Sequence, residues 1–201
     1  MAALNSNLGY SYYFSKRSIL IRLFFFLLIS FSVFQIYSIF VVGNFLSGEA
    51  CIKNTGEYVV RGGSLAGILE DQDKVELLFG YYECNNVKVG DLVAYQFANR
   101  STPLIKKVYG VGGDRFLLKE ENNAWHIIVN GDVIKNSQNI PFVLNDSSKN
   151  ILALYVDGYH GIIPHDAYLI LGNVPEGSID STYFGLAGKQ DIIAKVVVRK
   201  R

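Results

Sequence analysis

Short apolar stretches of strand length, separated by turn residues, make up most of the chain after residue 50. They lie at residues 59–60, 75–79, 92–97, 104–111, 116–119, 125–129, 151–156, 168–171 and 192–198. The clearest turn between them is Asn130-Gly131, a pair that typically forms two-residue β-hairpins. No long stretch after Val42 has a helical period. The pattern therefore predicts a mostly antiparallel β domain that is strongly twisted or barrel-like.

One long uncharged stretch, residues 23–42, precedes these strands. Its length suits a helix that crosses a hydrocarbon core of about 30 Å at about 1.5 Å per residue. Three basic residues come just before it, Lys16, Arg17 and Arg22. The positive-inside rule then places the N-terminus in the cytoplasm and everything after the stretch outside.

A cleaved secretory signal is the alternative for this stretch. It fits less well, because the apolar part is longer than the usual run of roughly 7 to 15 residues. We therefore predict a cytoplasmic segment over 1–22 and a signal-anchor helix over 23–42 that crosses the cytoplasmic membrane once. An extracytoplasmic domain follows over 43–201. Within it, residues 115–163 are richer in Asn, Ser, Lys and Glu, which is typical of an insertion.

Composition supports a membrane location, and the charge balance does not point to a charged partner. Hydrophobic residues make up 50 % of the chain, and the mean hydropathy of +0.21 is high for a soluble protein. The 19 Lys and Arg residues nearly balance the 18 Asp and Glu residues, for a net charge of +1. This balance indicates neither nucleic acid nor an acidic partner.

The cysteines and histidines do not form a recognisable metal or thiol site. Cys51 and Cys84 both lie in the predicted extracytoplasmic domain, where a disulfide could persist, but the sequence does not give the distance between them. The three histidines, His126, His160 and His165, lack metal-ligand spacing. We therefore expect no metal and no cofactor.

The candidate chemistry lies in the segment 104–114, which reads LIKKVYGVGGD. On a strand, Lys106 and Lys107 point to opposite faces, so one of them faces the packed side. A lysine in apolar surroundings has a lowered pKa and can act as a general base near neutral pH. A pair of lysines that merely solvates an edge strand is the alternative. Such a base needs a nucleophile, and upstream Ser64 lies between flexible glycines and a short apolar run. Taken alone, this pattern is also that of an ordinary serine in a glycine-rich turn.

These segments resemble, in order, the conserved boxes of the bacterial type I signal peptidases, which are membrane-bound Ser/Lys leader peptidases. Residues 64–69, SLAGIL, stand in place of the family's Ser-Met-x-Pro-Thr-Leu. Residues 89–93, VGDLV, stand in place of Arg-Gly-Asp-(Ile/Val)-Val, and residues 105–114 in place of Ile-Lys-Arg-Val-x-Gly-x-Pro-Gly-Asp. Residues 172–182 match Gly-Asp-Asn-x-x-x-Ser-x-Asp-Ser-Arg at unchanged spacing.

The resemblance implies a signal-peptidase β domain, with residues 115–163 as a reduced cap insertion. It also implies that the protein removes signal peptides from exported precursors at the outer face of the membrane. Ser64 would be the nucleophile and Lys106 the general base, while the backbone N–H of Ser64 would donate to the oxyanion. Ser178 would bind and orient the lysine amine, and Asp180 would support the loop that carries Ser178.

Several positions depart from the family pattern. Gly62 stands where many members have a serine or threonine that completes the oxyanion hole, and the loss of such a donor typically costs about 2.7–4 kcal/mol. Gly67 stands in place of proline, and Asn173 and Val174 in place of Asp-Asn. Thr182 replaces the arginine that would pair with Asp180. These changes are compatible with a slow enzyme, a specialised substrate or a related branch.

Two alternatives remain open. Residues 178–185 also resemble the ending of the conjugative-transfer peptidases that mature pilin precursors, although the strand-rich segment 73–95 favours a general signal peptidase. The other alternative is a non-catalytic, membrane-anchored β module that binds peptides along an exposed sheet edge. Such a module would not need both Ser64 and Lys106.

Overall fold

The N-terminal part of the described structure is a helix. A computed structural model describes residues 21–22, 24–38, 51–98, 100–174 and 177–198. Residues 21–22 and 24–38 are helical and are called α1 here. None of the helices in these described ranges combines the length and the apolar character needed to cross a membrane. Residues 23 and 39–42 of the predicted anchor lie outside the described residues, so the anchor stays a prediction.

The described residues from 51 onward form eleven strands, three α-helices and a 3-10 helix at Lys189–Asp191. The strands that pair within the two sheets are antiparallel. The strands are β1 Asn54–Val59, β2 Lys74–Phe79, β3 Leu92–Tyr95, β4 Leu104–Gly110, β5 Phe116–Glu121, β6 Ala124–Val129, β7 Asp132–Val133, β8 Val143–Leu144, β9 Ala167–Leu171, β10 Ala187–Gly188 and β11 Ile192–Val198. The helices are α2 Tyr81–Cys84, α3 Asp146–Gly158 and α4 Ser181–Phe184. The mostly β character predicted from the sequence is confirmed.

The strands form two open sheets. One sheet has seven strands in the order β1-β2-β11-β3-β4-β9-β10, and the other has four, with β5-β6-β7 in line and β8 paired to β6. In the described residues, the outer strands β1 and β10 pair with only one neighbour each. The barrel-like closure predicted from the sequence is therefore wrong. Alternation along a strand determines which of its faces is buried, but it does not determine whether the outer strands of a sheet pair with each other.

The predicted hairpin at Asn130-Gly131 is confirmed. Val129 pairs with Asp132 across it, and both turn residues have positive φ, 52° at Asn130 and 94° at Gly131. These are the two left-handed positions of a type I′ turn, which Asn and Gly adopt more easily than other residues. The hairpin joins β6 to β7 at the edge of the smaller sheet.

The predicted strand at residues 151–156 is wrong, because this stretch lies inside the helix α3. The side chain of Asn145 caps the helix by accepting a hydrogen bond from the Ser148 N–H. Leu152 is fully buried at the centre of the inward face, and Tyr155 and Val156 are partly buried one turn later. Leu154, which points away, is 72 % exposed. The buried positions therefore recur with a helical period. The sequence did not show this period, because the exposed positions of the run are apolar as well.

A disulfide joins Cys51, just before β1, to Cys84 at the end of α2. The sequence left this pairing open. The bridge closes a segment with a sequence separation of 33, which contains β1, β2 and the loop that carries Ser64. It therefore restrains the unfolded chain in the region from which the candidate nucleophile comes.

Loss of this bridge should reduce stability without removing any active-site group. For a loop of this length, the entropy model gives about 3–4 kcal/mol of unfolding free energy. We expect Cys51→Ser combined with Cys84→Ser to lower the free energy of unfolding by that amount, and the denaturant midpoint to fall accordingly. Reduction of the native chain should lower its midpoint to the same value and should leave the double variant unchanged. Equal midpoints for the oxidised native chain and the double variant would contradict the expectation.

Candidate active site

Ser64 lies in the loop between β1 and β2, which is held in shape by its own contacts. Leu65 and Leu69 are 2 % and 1 % exposed and anchor the loop in the core, and the Leu69 N–H donates to the Leu65 carbonyl at 2.9 Å. Where the loop leaves the sheet, the Val60 N–H donates to the Asp73 carbonyl at 2.8 Å. The half-buried Ser64 is thus presented on a fixed turn.

Two glycines of this loop adopt conformations that other residues rarely reach. Gly62 has φ +85°, and its N–H donates to Asp71 Oδ1 at 2.8 Å. Gly67 has φ +89°, and its N–H donates to Glu70 Oε1 at 2.8 Å. A proline could neither adopt a positive φ nor donate this bond. The turn at Gly67 therefore has a backbone conformation and a hydrogen bond that the family's proline at this position could not form.

The strand β4 brings Lys106 to the serine. Lys106 pairs in register with Val93 of β3, is 2 % exposed, and its Nζ lies 2.8 Å from Ser64 Oγ. The side chain of Lys107 points elsewhere, with Nζ 5.1 Å from the centre of the Tyr109 ring. The structure thus separates the two neighbouring lysines as strand alternation requires, and only Lys106 contacts the serine.

The surroundings of Lys106 favour its neutral form. Burial lowers the pKa of its amine below the ordinary value of 10.5, because the ammonium loses hydration. The Asp180 carboxylate acts in the opposite direction, and the nearby positive charge of Arg100 lowers the pKa further. A lysine with a lowered pKa is neutral over more of the physiological pH range, so it can accept a proton from a hydroxyl.

This pKa shift predicts the pH dependence of activity. A general base must be deprotonated, so kcat/KM should rise with pH and reach half its maximum below the 10.5 of an ordinary lysine. Asp180→Asn removes the charge that favours the ammonium, so the midpoint should move to lower pH than in the native chain. The measurement is kcat/KM from pH 5 upward for both proteins. A midpoint that stays in place or moves upward in the variant would contradict this assignment.

Asp180 is buried and has partners despite the missing arginine. It is 2 % exposed, and its Oδ2 accepts the Gly172 N–H at 2.8 Å. Its Oδ1 accepts both the Thr182 N–H at 3.0 Å and the Thr182 hydroxyl at 2.7 Å. The threonine that replaces arginine therefore still bonds to the carboxylate, now as a local cap at the start of α4. Asp180 ties this segment to the end of β9.

Ser178 lies beside the nucleophile's backbone, but it does not form the predicted hydrogen bond to the Lys106 amine. Its hydroxyl is buried and has no hydrogen-bond partner within the described part of the chain. A Cβ built on Gly172 would fall 2.5 Å from Ser178 Oγ and 2.6 Å from the Ser64 carbonyl oxygen. Glycine at position 172 is thus needed for this close approach. The amine of Lys106 is instead directed to Ser64.

Asn173 is a site residue that sequence reasoning treated only as a departure. It is 1 % exposed, and its N–H donates to the Ser64 carbonyl at 2.6 Å. Its side-chain amide donates to the Ala66 carbonyl at 2.6 Å and to Ser137 Oγ at 2.7 Å, while its Oδ1 accepts the Ser137 N–H at 2.8 Å. Asn173 therefore joins the loop that carries Ser64, called the nucleophile loop here, to the insertion at residues 115–163.

Gly67 makes room for this contact. A Cβ on Gly67 would lie 3.0 Å from Asn173 Nδ2 and 3.2 Å from Ser137 Oγ. Two departures from the family pattern, Gly67 and Asn173, thus meet at one place, and the insertion residue Ser137 completes the group. The position of Asn173 directly after Gly172 in the last box was the signal that could have identified it.

The remaining polar residues do not build a metal centre. Within the described ranges, no group of three or more His, Cys, Asp or Glu side chains is placed to hold a metal ion. His126 Nδ1 lies 3.0 Å from the Phe142 carbonyl oxygen, and His165 lies beside Asp166 on the surface. A buried amine in contact with a half-buried hydroxyl is an arrangement suited to nucleophilic attack on a carbonyl.

Comparisons with known proteins agree with this chemistry. The family model described as signal peptidase, peptidase S26, matches residues 16–200. Signal peptidase IB of Staphylococcus aureus is 28 % identical over 173 residues, which cover 80 % of this chain and 81 % of the relative. Signal peptidase I P of Bacillus subtilis subsp. natto is 28 % identical over 139 residues, which cover 67 % of this chain and 70 % of the relative.

A solved structure is also similar. The crystal structure of a signal peptidase I from Enterococcus faecalis V583 has a TM-score of 0.40 and 16 % sequence identity. The match covers 55 % of this chain and 97 % of that chain.

Proposed function

Because this chain belongs to the peptidase S26 family of signal peptidases, we propose that Ser64 and Lys106 are the dyad with which it removes signal peptides from exported precursors. The observation that supports this assignment most strongly is the 2.8 Å contact between Lys106 Nζ and Ser64 Oγ. The lysine is almost fully buried, which keeps its amine available as a base. The protein is a hydrolase, and its chemistry is that of a serine peptidase.

The reaction proceeds in two steps. The neutral amine of Lys106 takes the proton of the Ser64 hydroxyl as Oγ attacks the scissile carbonyl, and the tetrahedral adduct collapses when the ammonium returns that proton to the leaving amine. The mature protein leaves with its new N-terminus, and the signal peptide remains as an ester on Ser64. Lys106 then deprotonates a water that hydrolyses the ester, and the proton returns to Oγ.

The negative charge on the carbonyl oxygen needs donors. The backbone N–H of Ser64 makes no hydrogen bond to the described part of the chain, so it is available to the oxyanion. The Gly62 N–H is taken by Asp71, and Gly62 has no side chain to replace it. The reduced oxyanion hole predicted from the sequence remains part of this proposal.

Ser178 and Asp180 support the base. The Ser178 hydroxyl, buried and without a partner in the described residues, is available to the Lys106 ammonium once Ser64 has lost its proton. Asp180 fixes the segment that carries Ser178 through its bonds to Gly172 and Thr182. Its negative charge also favours the protonated lysine, which stabilises the charge that forms during attack.

The general signal peptidase is favoured over both alternatives. The relatives described above are signal peptidases, and a pure peptide-binding module would not require a buried lysine against a serine. A specialised pilin peptidase would use the same dyad on a narrower set of precursors. Substrate range therefore distinguishes these two peptidase types. Cleavage that disappears when the dyad is removed would distinguish either peptidase from a binding module.

Members of this family are membrane-associated and carry the catalytic domain outside the cytoplasm. For this chain we place residues 1–22 in the cytoplasm, a single anchor over 23–42 in the bilayer, and the peptidase domain over 43–201 outside. Residues 115–163 then form the reduced cap. The substrates are secretory precursors, which arrive at the same membrane with their signal peptides.

The substrate requirement tests this function. Purified protein in detergent should cut a precursor that has small residues at the first and third positions before the cut, because shallow pockets accept only such side chains. The matched substrate has leucine at the first position and should be cut at least about 10²-fold more slowly. A panel of pilin precursors, processed no better than other precursors, would support the general role. Cleavage of both matched substrates at one rate would contradict it.

A further inference from the structure

A cleft of about 220 Å³ opens where Ser64 and Lys106 meet. Apolar residues of β4 and of the loop that carries Ser64 form part of its wall. Its remaining lining consists of Tyr58, Val60, Arg61, Leu65, Arg100, Thr102, Pro103, Leu104 and Ile105. A cleft of this size accepts a few small side chains of a peptide, so a substrate near the scissile bond lies against these residues.

Two arginines in this lining form no ion pair in the described part of the chain. Arg61 lies in the loop that carries Ser64, and Arg100 lies in the turn between β3 and β4. Both are exposed. Neither forms an ion pair with a carboxylate of the described chain. The Asp71 carboxylate interacts with Arg61 through their charges, but its oxygens already accept the Gly62 N–H at 2.8 Å and the Gln72 amide at 3.0 Å.

The Lys, Arg, Asp and Glu side chains that line the cleft are all basic. Arg61, Arg100 and Lys106 are the basic residues of its lining, and no Asp or Glu belongs to that lining. Lys106 must be neutral to act as a base, so the permanent positive charge comes from the two arginines. Guanidinium groups bind carboxylates through paired N–H donors, which gives both attraction and a defined geometry. A peptide in the cleft therefore meets two guanidinium groups beside the dyad that are not engaged in an ion pair in the described residues.

We propose that Arg61 and Arg100 form a subsite for an acidic side chain of the precursor close to the scissile bond. This proposal rests on the proposed function, since it specifies which precursors the same dyad cuts most efficiently. The ligand is the carboxylate of a substrate Glu or Asp, presented on the extended segment that lies in the cleft. The enzyme then prefers precursors with an acidic residue near the cut over otherwise identical neutral ones.

Matched peptides test the subsite. Each carries the same small-x-small site, and a single Glu, Gln or Lys is placed in turn at every position from four residues before the cut to two after it, except the two small positions. We expect a kcat/KM ratio of Glu to Gln of roughly 10 at one position or more. Lys at the same position should be cut more slowly than Gln. The preference should shrink as ionic strength rises, because the arginines are exposed.

Variants identify the residues responsible. Arg61→Gln and Arg100→Gln should each reduce the Glu to Gln ratio, and the double variant should bring it to about 1. The control is Arg115→Gln, which removes an exposed arginine outside the cleft and should keep the native ratio. Because each enzyme is compared with itself on two peptides, a general change in rate does not affect the ratio.

The outcomes are distinct. A native ratio near 1 at every position, or a ratio that survives in the double variant, would overturn the subsite while leaving the peptidase assignment intact. Failure of the native chain to cut any peptide would instead remove the proposed function on which the subsite rests. A preference lost in the double variant and kept in Arg115→Gln is the result that supports it.

Discussion

Lys106→Met should abolish cleavage, whereas Lys107→Met should leave it within a few-fold of the native rate. The two lysines are adjacent on β4, but only Lys106 Nζ lies 2.8 Å from Ser64 Oγ, and Lys107 lies over the Tyr109 ring. Loss of the proposed general base should lower kcat by at least about 10⁴-fold, by analogy with removal of the base in other serine peptidases. The measurement is kcat on a small-x-small precursor. Equal losses in the two variants would contradict the assignment.

The same substitution should not weaken the fold. The pKa of Lys106 is lowered in the folded chain, so between this value and the unfolded value the unfolded chain binds more protons, and stability rises with pH. Burial of the ammonium therefore lowers the free energy of unfolding most at pH values below the folded pKa, and this loss of stability disappears above about pH 10.5.

Methionine is similar in length and carries no charge, so we expect Lys106→Met to have an unfolding free energy at neutral pH equal to or above that of the native chain. Thermal or denaturant unfolding of both proteins provides the check. An inactive variant that is also strongly destabilised would mean that Lys106 holds the fold together rather than acting as the base.

Asn173→Leu should give the second large loss of activity. The leucine cannot pair with the Ala66 carbonyl or the Ser137 N–H, which Asn173 binds at 2.6 and 2.8 Å. Each polar group left unpaired in the interior costs about 1–3 kcal/mol, so the nucleophile loop is expected to shift away from the insertion. A displacement of about 1 Å at a nucleophile can cost 10²-fold in rate. We therefore expect kcat to fall by about that factor.

Two further variants separate positioning from general destabilisation. Asn173→Asp keeps an acceptor for the Ser137 N–H but loses the donor to Ala66, so its kcat should lie between those of the native chain and the leucine variant. Asn150→Leu changes an exposed asparagine on α3 and should keep native kcat. All rates are taken at temperatures where unfolding curves show folded protein. Native kcat in folded Asn173→Leu would mean that the residue only supports the fold.

The sequence pattern predicted those elements that depend only on residues close to each other along the chain. Alternation in residues 104–111 gave β4 and the separation of Lys106 from Lys107, and Asn130-Gly131 gave its hairpin. The helix α3 was missed because Ile151 to Val156 is apolar at nearly every position, which hides the helical period. The cap at Asn145, followed by polar residues before the apolar run, was the signal of its start.

Contacts between distant segments could not be predicted from local patterns. Ser64 and Lys106 are 42 residues apart, and only a resemblance to a family suggested that they meet. The Cys51–Cys84 pairing and the two open sheets depend in the same way on how the strands order in space. The role of Asn173 depends on Gly67 and on Ser137 in the insertion, so no single motif contains it.

The most direct test of the proposed dyad is product analysis with Ser64→Ala. Native chain and variant are incubated with the same small-x-small precursor in detergent, and the products are identified by mass spectrometry. The native chain should yield one mature protein and one signal peptide, cut directly after the second small residue, and Ser64→Ala should yield neither above background. An identical cut by the folded Ser64→Ala variant, or no cut by the native chain, would contradict the claim that Ser64 and Lys106 remove signal peptides.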